Sequence, residues 1–136
     1  MSAGDAAGGE AAAGATLYEA VGGLPFFEAL VGGFYDRVEA DPVLRAVYPD
    51  PDLRPARRRL TLFLAQYWGG PDDYDRERGA PRLRMRHIDF AIGPAERDAW
   101  LRHMAASLDE LDASPEVREA LRRYFEMGVE ALRNRD

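Results

Sequence analysis

Prolines divide this sequence into a series of helical segments, and this division constrains the fold more than any other feature. Five prolines each stand at the start of a run whose apolar residues recur every three or four positions. Proline is tolerated in the first turn of a helix, where amide groups have no partner, but it breaks a helix interior. No stretch alternates apolar and polar residues as a half-buried strand would. The sequence therefore predicts an all-α domain, with helices that open at Pro25, Pro42, Pro55, Pro94 and Pro115.

The helical segments carry apolar stripes wide enough to form buried faces. Thr16, Asp41 and Ser114 precede three of these segments and can accept hydrogen bonds from first-turn amides. Gly- and Pro-rich stretches separate the segments, and we expect residues 71–81 to form a polar loop. The buried faces of the four longest segments should include Phe27, Leu30, Val31, Phe34, Val38, Leu60, Phe63, Leu64, Trp100, Leu101, Met104, Leu108, Val117, Leu121 and Phe125.

Length and composition limit the classes of protein to which this chain can belong. The 136 residues suffice for one domain with a sizeable core. Residues 1–15 are almost wholly Ala and Gly, so we predict a disordered tail before a single domain over residues 16–136. A net charge of −6 argues against nucleic acid or an anionic membrane as the main partner. No segment is apolar enough to insert in a membrane and no secretory signal is visible, so we expect a cytoplasmic protein.

The scarcity of metal-binding side chains narrows the candidates for an axial ligand. The chain has no cysteine, which excludes thiolate sites and disulfides, and its two histidines are His87 and His103. His87 is the stronger candidate, because it lies in an arginine-rich run between Arg82 and Phe90 in which Pro81 can open a short helix. An unpaired guanidinium is costly to bury, so the arginines should meet either an anion or solvent. This stretch alone favours a solvated helix end.

Large aromatic side chains with polar tips lie beside the apolar stripes. A buried phenol or indole must form a hydrogen bond. Together with a histidine on a short helix these rings could enclose a flat apolar cofactor, although each ring alone is more simply a core residue. His103 follows Trp100 on the same predicted helix and is more simply a satisfied or partly exposed histidine. The rings are Tyr35, Tyr48, Tyr67, Trp68 and Trp100.

Other catalytic patterns are missing from the sequence. No pair of carboxylates has a spacing suited to acid–base catalysis. Gly69 and Gly70 precede a proline and not a helix with a lysine, so they do not form a phosphate-binding loop. A serine triad is unsupported, because Ser114 is better explained as a helix cap.

Six short motifs occur in order over about residues 16–133. They are LYEAVGG at 17–23, FY at 34–35, VYP at 47–49, QYWGGP at 66–71, RLRMRH at 82–87 and RDAWL at 97–101. Each motif alone is weak. Together, in this order and spacing, they resemble the second group of the truncated haemoglobins, which is widespread in actinobacteria.

The resemblance implies a two-over-two helical sandwich around non-covalent haem b, with His87 as the proximal iron ligand. Tyr35, Tyr48 and Trp100 match the family's distal polar cluster, whose hydroxyl and indole groups donate to bound gas. Ala56 matches a position where many globins carry histidine or glutamine. The expected haem contacts also include Leu60, Phe63, Tyr67, Leu83, Arg86, Phe90, Ile92 and Met127, with Tyr67 and Arg86 as propionate partners.

The function implied by the resemblance is reversible binding of O₂, for transport or delivery, and of CO, NO and small anionic haem ligands. The alternative is a haem enzyme that oxidises NO to nitrate or reacts with peroxide. We expect that enzyme to need an external reductase, so whether the protein is an enzyme stays open. A helical interaction module without haem is a further alternative. A homodimer is compatible with the family, although no interface pattern is visible.

Overall fold

The computed structural model describes residues 16–79, 82 and 92–134, and these ranges contain seven α-helices and no β-strand. The predicted all-α class is therefore confirmed. None of the described helices is long and apolar enough to cross a bilayer. The predicted tail at residues 1–15 lies outside the described residues. The helices are α1 (Leu17–Ala20), α2 (Leu24–Glu39), α3 (Pro42–Arg45), α4 (Arg54–Tyr67), α5 (Asp73–Arg78), α6 (Pro94–Asp109) and α7 (Pro115–Leu132).

Two pairs of long helices form the body of the domain. Helix α2 packs against both α4 and α6, and α6 also packs against α7. The short α3 lies against α2 and α6, whereas α5 lies against α4. The pair α2 and α4 therefore meets the pair α6 and α7 through the contact between α2 and α6.

The apolar stripe of α2 is the centre of the core. Phe27, Leu30, Val31, Phe34 and Val38 are each 0% exposed, as their helical spacing predicts. Full burial of such a side chain stabilises the folded state by roughly 1.5–3 kcal/mol relative to exposure. The stripe therefore anchors α2 between α4 and α6.

Gly33 and Ser107 allow a close approach of α2 to α6. The Ser107 hydroxyl is buried and donates a hydrogen bond of 2.7 Å to the carbonyl oxygen of Leu30. A Cβ atom added at Gly33 would lie 2.4 Å from the Ser107 Oγ atom. A side chain at residue 33 would force Ser107 or the helices to move, so glycine permits this close packing.

The three predicted caps are present. Thr16 and Glu19 form a reciprocal capping box at α1, with both backbone-to-side-chain hydrogen bonds at 3.1 Å. The Asp41 Oδ1 atom accepts from the Val43 amide at 3.0 Å, and Ser114 caps α7. These contacts satisfy first-turn amides that have no partner within their helix.

The prediction of a loop over residues 71–81 is wrong for part of that range, because Asp73–Arg78 forms α5. Asp73 and Asp75 lie in its first turn, and Arg76 and Arg78 lie in its last turn. This charge order complements the helix dipole, so a segment with few apolar residues can still form a turn and a half of helix. The helix ends at Gly79, which has a positive φ of 76°.

Candidate functional site

A cavity of about 580 Å³ lies among α2, α4, α6 and α7 and the segment that follows α3. This volume falls in the range of about 300–1,000 Å³ that is typical of small-molecule and cofactor sites. Most of the wall is apolar, which suits a hydrophobic ligand. The apolar wall residues include Leu44, Val47, Leu53, Leu60, Phe63, Leu64, Ile92, Phe125, Val129 and Leu132.

A cluster of three polar aromatic side chains lies at one part of this wall. Tyr35 on α2 and Tyr48 after α3 pack edge to face, with ring centroids 5.5 Å apart. The Tyr48 hydroxyl accepts hydrogen bonds from the Tyr35 hydroxyl and from the Trp100 indole on α6. All three residues line the cavity, so three separate elements place polar groups at one point.

The Tyr48 hydroxyl can donate a hydrogen bond as well as accept. A hydroxyl group has one proton to donate and two lone pairs that accept. Tyr35 and Trp100 donate to the two acceptor positions of Tyr48. The Tyr48 side chain also lines the cavity, so its own hydroxyl proton can be donated to a ligand there. The cluster therefore offers a donor to whatever occupies the cavity.

Burial keeps these phenols protonated. It raises the pKa of Tyr35 well above the ordinary value, and the nearby Tyr48 raises it further. Burial around its hydroxyl also raises the pKa of Tyr48, against the smaller lowering effect of the two hydrogen bonds that it accepts. Both groups are therefore neutral hydrogen-bond donors at physiological pH.

The segment that carries Tyr48 is held by the preceding helix. Asp41 caps the start of α3, and the guanidinium group of Arg45 near its end donates to the backbone carbonyl of Tyr48. The same guanidinium donates to the carbonyls of Asp50 at 2.9 Å and Pro51 at 3.1 Å. These contacts fix a short irregular segment that has little regular hydrogen bonding of its own.

Six of the residues expected at the site from the sequence lie in the cavity wall. Two others do not, because Met127 is 75% exposed and Tyr67 is 55% exposed, and neither belongs to the wall. At 100° per residue, Met127 points away from the face of α7 that carries Gly128 and Phe125, and its contact with haem stays a prediction. The six wall residues are Tyr35, Tyr48, Leu60, Phe63, Ile92 and Trp100.

Four predicted site residues, Leu83, Arg86, His87 and Phe90, lie outside the described residues. Their roles remain predictions. The other histidine, His103, is described, and its Nε2 atom lies 2.6 Å from the Asp41 Oδ2 atom. His103 is a partly buried, satisfied histidine, which agrees with the simpler interpretation of the sequence.

The sequence interpretation missed several residues of the wall. Tyr74 and Tyr124 both line the cavity, and burial is the main cause that raises the pKa of Tyr124. Tyr74 lies on α5, which was not predicted as a helix. Its exposure of 4% and its edge-to-face contact with Phe63, at a centroid distance of 5.4 Å, place it in the core.

One cationic side chain of the wall has no ion pair with the residues that the structure describes. Arg59 is exposed, and within the described part of the chain no carboxylate bonds to it. The three acidic wall residues are already engaged, since Asp52 binds Arg54 at 3.0 Å, and Asp50 and Glu96 each accept from a backbone amide at 2.9 Å. Arg59 is therefore available to an anionic group on a ligand in this cavity.

Comparisons with known proteins agree with this architecture. A family model described as bacterial-like globin matches residues 16–134. The group 2 truncated hemoglobin YjbI of Bacillus subtilis is 41% identical over 104 residues, which cover 76% of this chain and 77% of that protein. A thermostable hemoglobin from Thermobifida fusca is 51% identical and superposes with a TM-score of 0.86, with 88% of this chain and 98% of that chain covered. A truncated oxygen-avid haemoglobin from Bacillus subtilis is 38% identical with a TM-score of 0.83, and 88% of this chain and 100% of that chain are covered.

Proposed function

We propose that this chain, which belongs to the bacterial-like globin family and is a truncated haemoglobin, holds haem b in the cavity and binds O₂ and related diatomic ligands there. Family membership implies the haem, whereas the ligand and its use are our proposal. The observation that carries the proposal is the cluster of Tyr35, Tyr48 and Trp100, which places hydroxyl and indole donors at the wall of an apolar cavity. The proposal keeps the cytoplasmic location expected from the sequence.

The residues present fit a haem group. Haem is flat and mostly apolar with two carboxylates, and the cavity combines an apolar wall with the available guanidinium of Arg59. Arg78 lies in the same wall. Guanidinium groups form strong charge-assisted hydrogen bonds with carboxylates. Arg59 thus joins the sequence-based candidates Tyr67 and Arg86 as a proposed propionate partner.

The described structure also supports His87 as the axial ligand. The chain contains two histidines and no cysteine. His103 is engaged by Asp41 on the side of α6 that meets α3, and it does not belong to the cavity wall. Histidine, cysteine, methionine and tyrosine are the side chains that usually ligate haem iron. With no cysteine in the chain and His103 engaged elsewhere, His87 is the remaining histidine candidate.

The chain's own residues then account for ligand stabilisation. Haem supplies an iron that coordinates a diatomic gas reversibly and places partial negative charge on it. Tyr48 donates its hydroxyl proton to that charge, while Tyr35 and Trp100 hold the Tyr48 oxygen in place. A net hydrogen bond of about 1–1.5 kcal/mol corresponds to roughly tenfold in ligand release. The similar haemoglobin from Bacillus subtilis is described as oxygen-avid, which agrees with the proposed stabilisation of bound O₂.

The axial assignment is tested with two histidine variants. In His87→Ala the axial ligand is lost, so we expect the purified protein to lose bound haem. His103→Gln serves as the matched control, because it alters the other histidine and should retain haem. The haem-to-protein ratio is measured by the pyridine haemochrome assay. Normal haem content in His87→Ala would overturn the assignment.

A second candidate is peroxide chemistry with external electron donors. The observation that favours it is an aromatic chain from the cavity to solvent. Tyr124 in the cavity wall lies 4.4 Å, between ring centroids, from Tyr67, which is 55% exposed. Phenols can donate electrons to an oxidised cofactor, and an external reductase would be needed for NO oxidation. A peroxidase activity that survives Tyr67→Phe unchanged would exclude this path.

A further inference from the structure

One arginine outside the cavity wall holds the backbone of Tyr48. Arg45 is the last residue of α3, and it does not line the cavity. Its backbone carbonyl accepts a hydrogen bond from the Tyr48 amide at 3.1 Å, and its guanidinium donates to the Tyr48 carbonyl. Both backbone polar groups of Tyr48 are therefore bonded to the same residue.

The residues that follow Tyr48 cannot hold themselves in place by regular backbone hydrogen bonds. Pro49 and Pro51 lack an amide proton, and each disfavours helix at the residue before it. The Arg45 guanidinium also donates to the carbonyls of Asp50 at 2.9 Å and Pro51 at 3.1 Å. Because a guanidinium has five donors in a fixed planar arrangement, one side chain can bond all three carbonyls.

These contacts hold one side of the cavity, which we call the Tyr48 segment and define as residues 47–53. The Arg45 side chain is 25% exposed, so water competes only in part for its contacts with this segment. Glu39 at the end of α2 lies 3.8 Å from Arg45 but is 63% exposed, and such an exposed ion pair contributes little. The main contacts of this guanidinium are therefore the backbone carbonyls. The wall residues of the segment are Val47, Tyr48, Pro49, Asp50, Asp52 and Leu53.

The position of the Tyr48 hydroxyl depends on both ends of the side chain. Tyr35 and Trp100 bond to the hydroxyl at one end, and Arg45 holds the backbone at the other end. The phenol ring is rigid and rotates about two bonds, so a displacement of the backbone is passed on to the hydroxyl. A hydrogen bond to a ligand weakens when its length or angle departs from the preferred geometry.

We propose that Arg45 is a positioning residue for ligand binding, which fixes the Tyr48 segment from outside the cavity and thereby sets the hydrogen bond from Tyr48 to the bound gas. This inference rests on the proposed function. Since Arg45 does not belong to the cavity wall, its effect on ligand release passes through Tyr48.

The test compares O₂ dissociation rates of the reduced holoprotein by stopped-flow mixing. Arg45→Met keeps an unbranched side chain and removes every donor, so we expect O₂ release to accelerate by about two- to tenfold. Arg45→Lys keeps a charged donor that can bond some of the carbonyls, so it should recover part of the wild-type rate. Equal rates in Arg45→Met and wild type would overturn the inference.

Arg54→Met is the matched control. Arg54 follows the Tyr48 segment directly, and its side chain is 88% exposed and binds the Asp52 carboxylate at 3.0 Å. The variant removes an arginine beside the same segment, but one that pairs with a carboxylate and not with the backbone of Tyr48. It should keep the wild-type O₂ dissociation rate. The same acceleration in Arg54→Met as in Arg45→Met would contradict a specific role for Arg45.

A double-mutant cycle separates positioning from a general loss of stability. If Arg45 acts through Tyr48, Arg45→Met should have little further effect on O₂ release in a Tyr48→Phe background. The infrared stretching frequency of bound CO, which reports hydrogen bonding from distal side chains, gives an independent measurement. The band of Arg45→Met should move toward the position found in Tyr48→Phe. An undiminished effect of Arg45→Met in the Tyr48→Phe background would show that the inference is wrong.

Failure of the inference can be distinguished from failure of the proposed function. If haem is bound but Arg45→Met leaves the O₂ dissociation rate and the CO band unchanged, only the inference fails. If the wild-type protein retains no haem, the proposed function fails, and the role of Arg45 is tested by NMR of the same chain with labelled tyrosine. The Tyr48 ring signal should then shift in Arg45→Met and not in Arg54→Met. An unchanged Tyr48 signal in Arg45→Met would overturn the inference there too.

Discussion

At the scale of single residues, Tyr48 determines what the cavity can do with a polar ligand. Its hydroxyl is engaged by Tyr35 and Trp100, and it lies at the wall of the cavity, where it can donate its proton to a ligand. Geometry and protonation thus act together, because burial keeps the phenol neutral and its neighbours fix its orientation. A hydroxyl held in this way needs little reorganisation when a ligand binds.

Replacement of Tyr48 by phenylalanine should accelerate ligand release. The ring remains while the donor is lost, so we expect the O₂ dissociation rate to rise by about tenfold. Tyr18→Phe is the control, since Tyr18 stacks on Phe27 with centroids 6.0 Å apart and lies outside the cavity wall. The rates are measured by stopped-flow mixing. Equal rates in Tyr48→Phe and wild type would show that another group stabilises the ligand.

The phenols also predict a behaviour at high pH. Burial raises the pKa of Tyr35, Tyr48 and Tyr124 in the folded state above the ordinary value of 10.0. Above that pH the unfolded chain loses these protons while the folded chain retains them, so stability falls as pH rises. Absorbance at the tyrosinate band should show a fraction of the phenols ionising only as the protein unfolds. Complete ionisation of the folded protein near pH 10 would contradict this.

At the scale of elements, the crossing of α2 and α6 brings Tyr35 and Trp100 together. The crossing depends on Gly33, because the Ser107 Oγ atom occupies the space that a side chain would need. The apolar periodicity of both helices is visible in the sequence. The requirement for glycine at this position is not, because it comes from a contact between residues that are distant along the chain.

The variant Gly33→Ala tests this crossing. The added methyl group would meet Ser107 at 2.4 Å, so we expect a loss of about 1–3 kcal/mol of unfolding free energy from overpacking. Gly32→Ala is a matched control in the same helix, since its Cβ would meet only the Arg57 guanidinium at 3.6 Å. It should be neutral or slightly stabilising. Urea denaturation gives both values, and similar stabilities for the two variants would contradict the tight crossing.

Comparison of the helices with the sequence shows which parts of the fold could be predicted. Helix-opening prolines and caps predicted most boundaries, because both act through local geometry. Helix α5 was missed because its stability comes from charge order and from Tyr74, and not from an apolar stripe. The expectation for Met127 came from helical facing alone, and the structure places this exposed side chain outside the cavity wall. The cluster of Tyr35, Tyr48 and Trp100 was found through family motifs, since nothing local connects three residues on different elements.

At the scale of the whole molecule, hydrogen-bonded carboxylates determine the response to acid. Hydrogen bonds from His103, Arg54 and Arg97 lower the pKa values of Asp41, Asp52 and Glu130, respectively. A lowered folded-state pKa contributes stability that is present above the unfolded pKa of about 4 and is lost as pH falls below it. The molecule should therefore lose stability in acid over this range.

The acid response can be measured as the urea midpoint from pH 7 to pH 2.5. We expect the midpoint to decrease below about pH 4. Asp52→Asn should make this decrease shallower, because one of the three carboxylates no longer titrates. An Asp52→Asn curve that has the same slope as wild type would mean that this carboxylate does not contribute.

The central claim is that the cavity of this globin holds haem whose open position is faced by Tyr48. The most direct measurement is the absorption spectrum of the purified protein as isolated, after reduction with dithionite, and after addition of CO. We predict a haem Soret band that shifts to a sharp ferrous-CO form. A colourless protein that also fails to bind added haemin would contradict the claim.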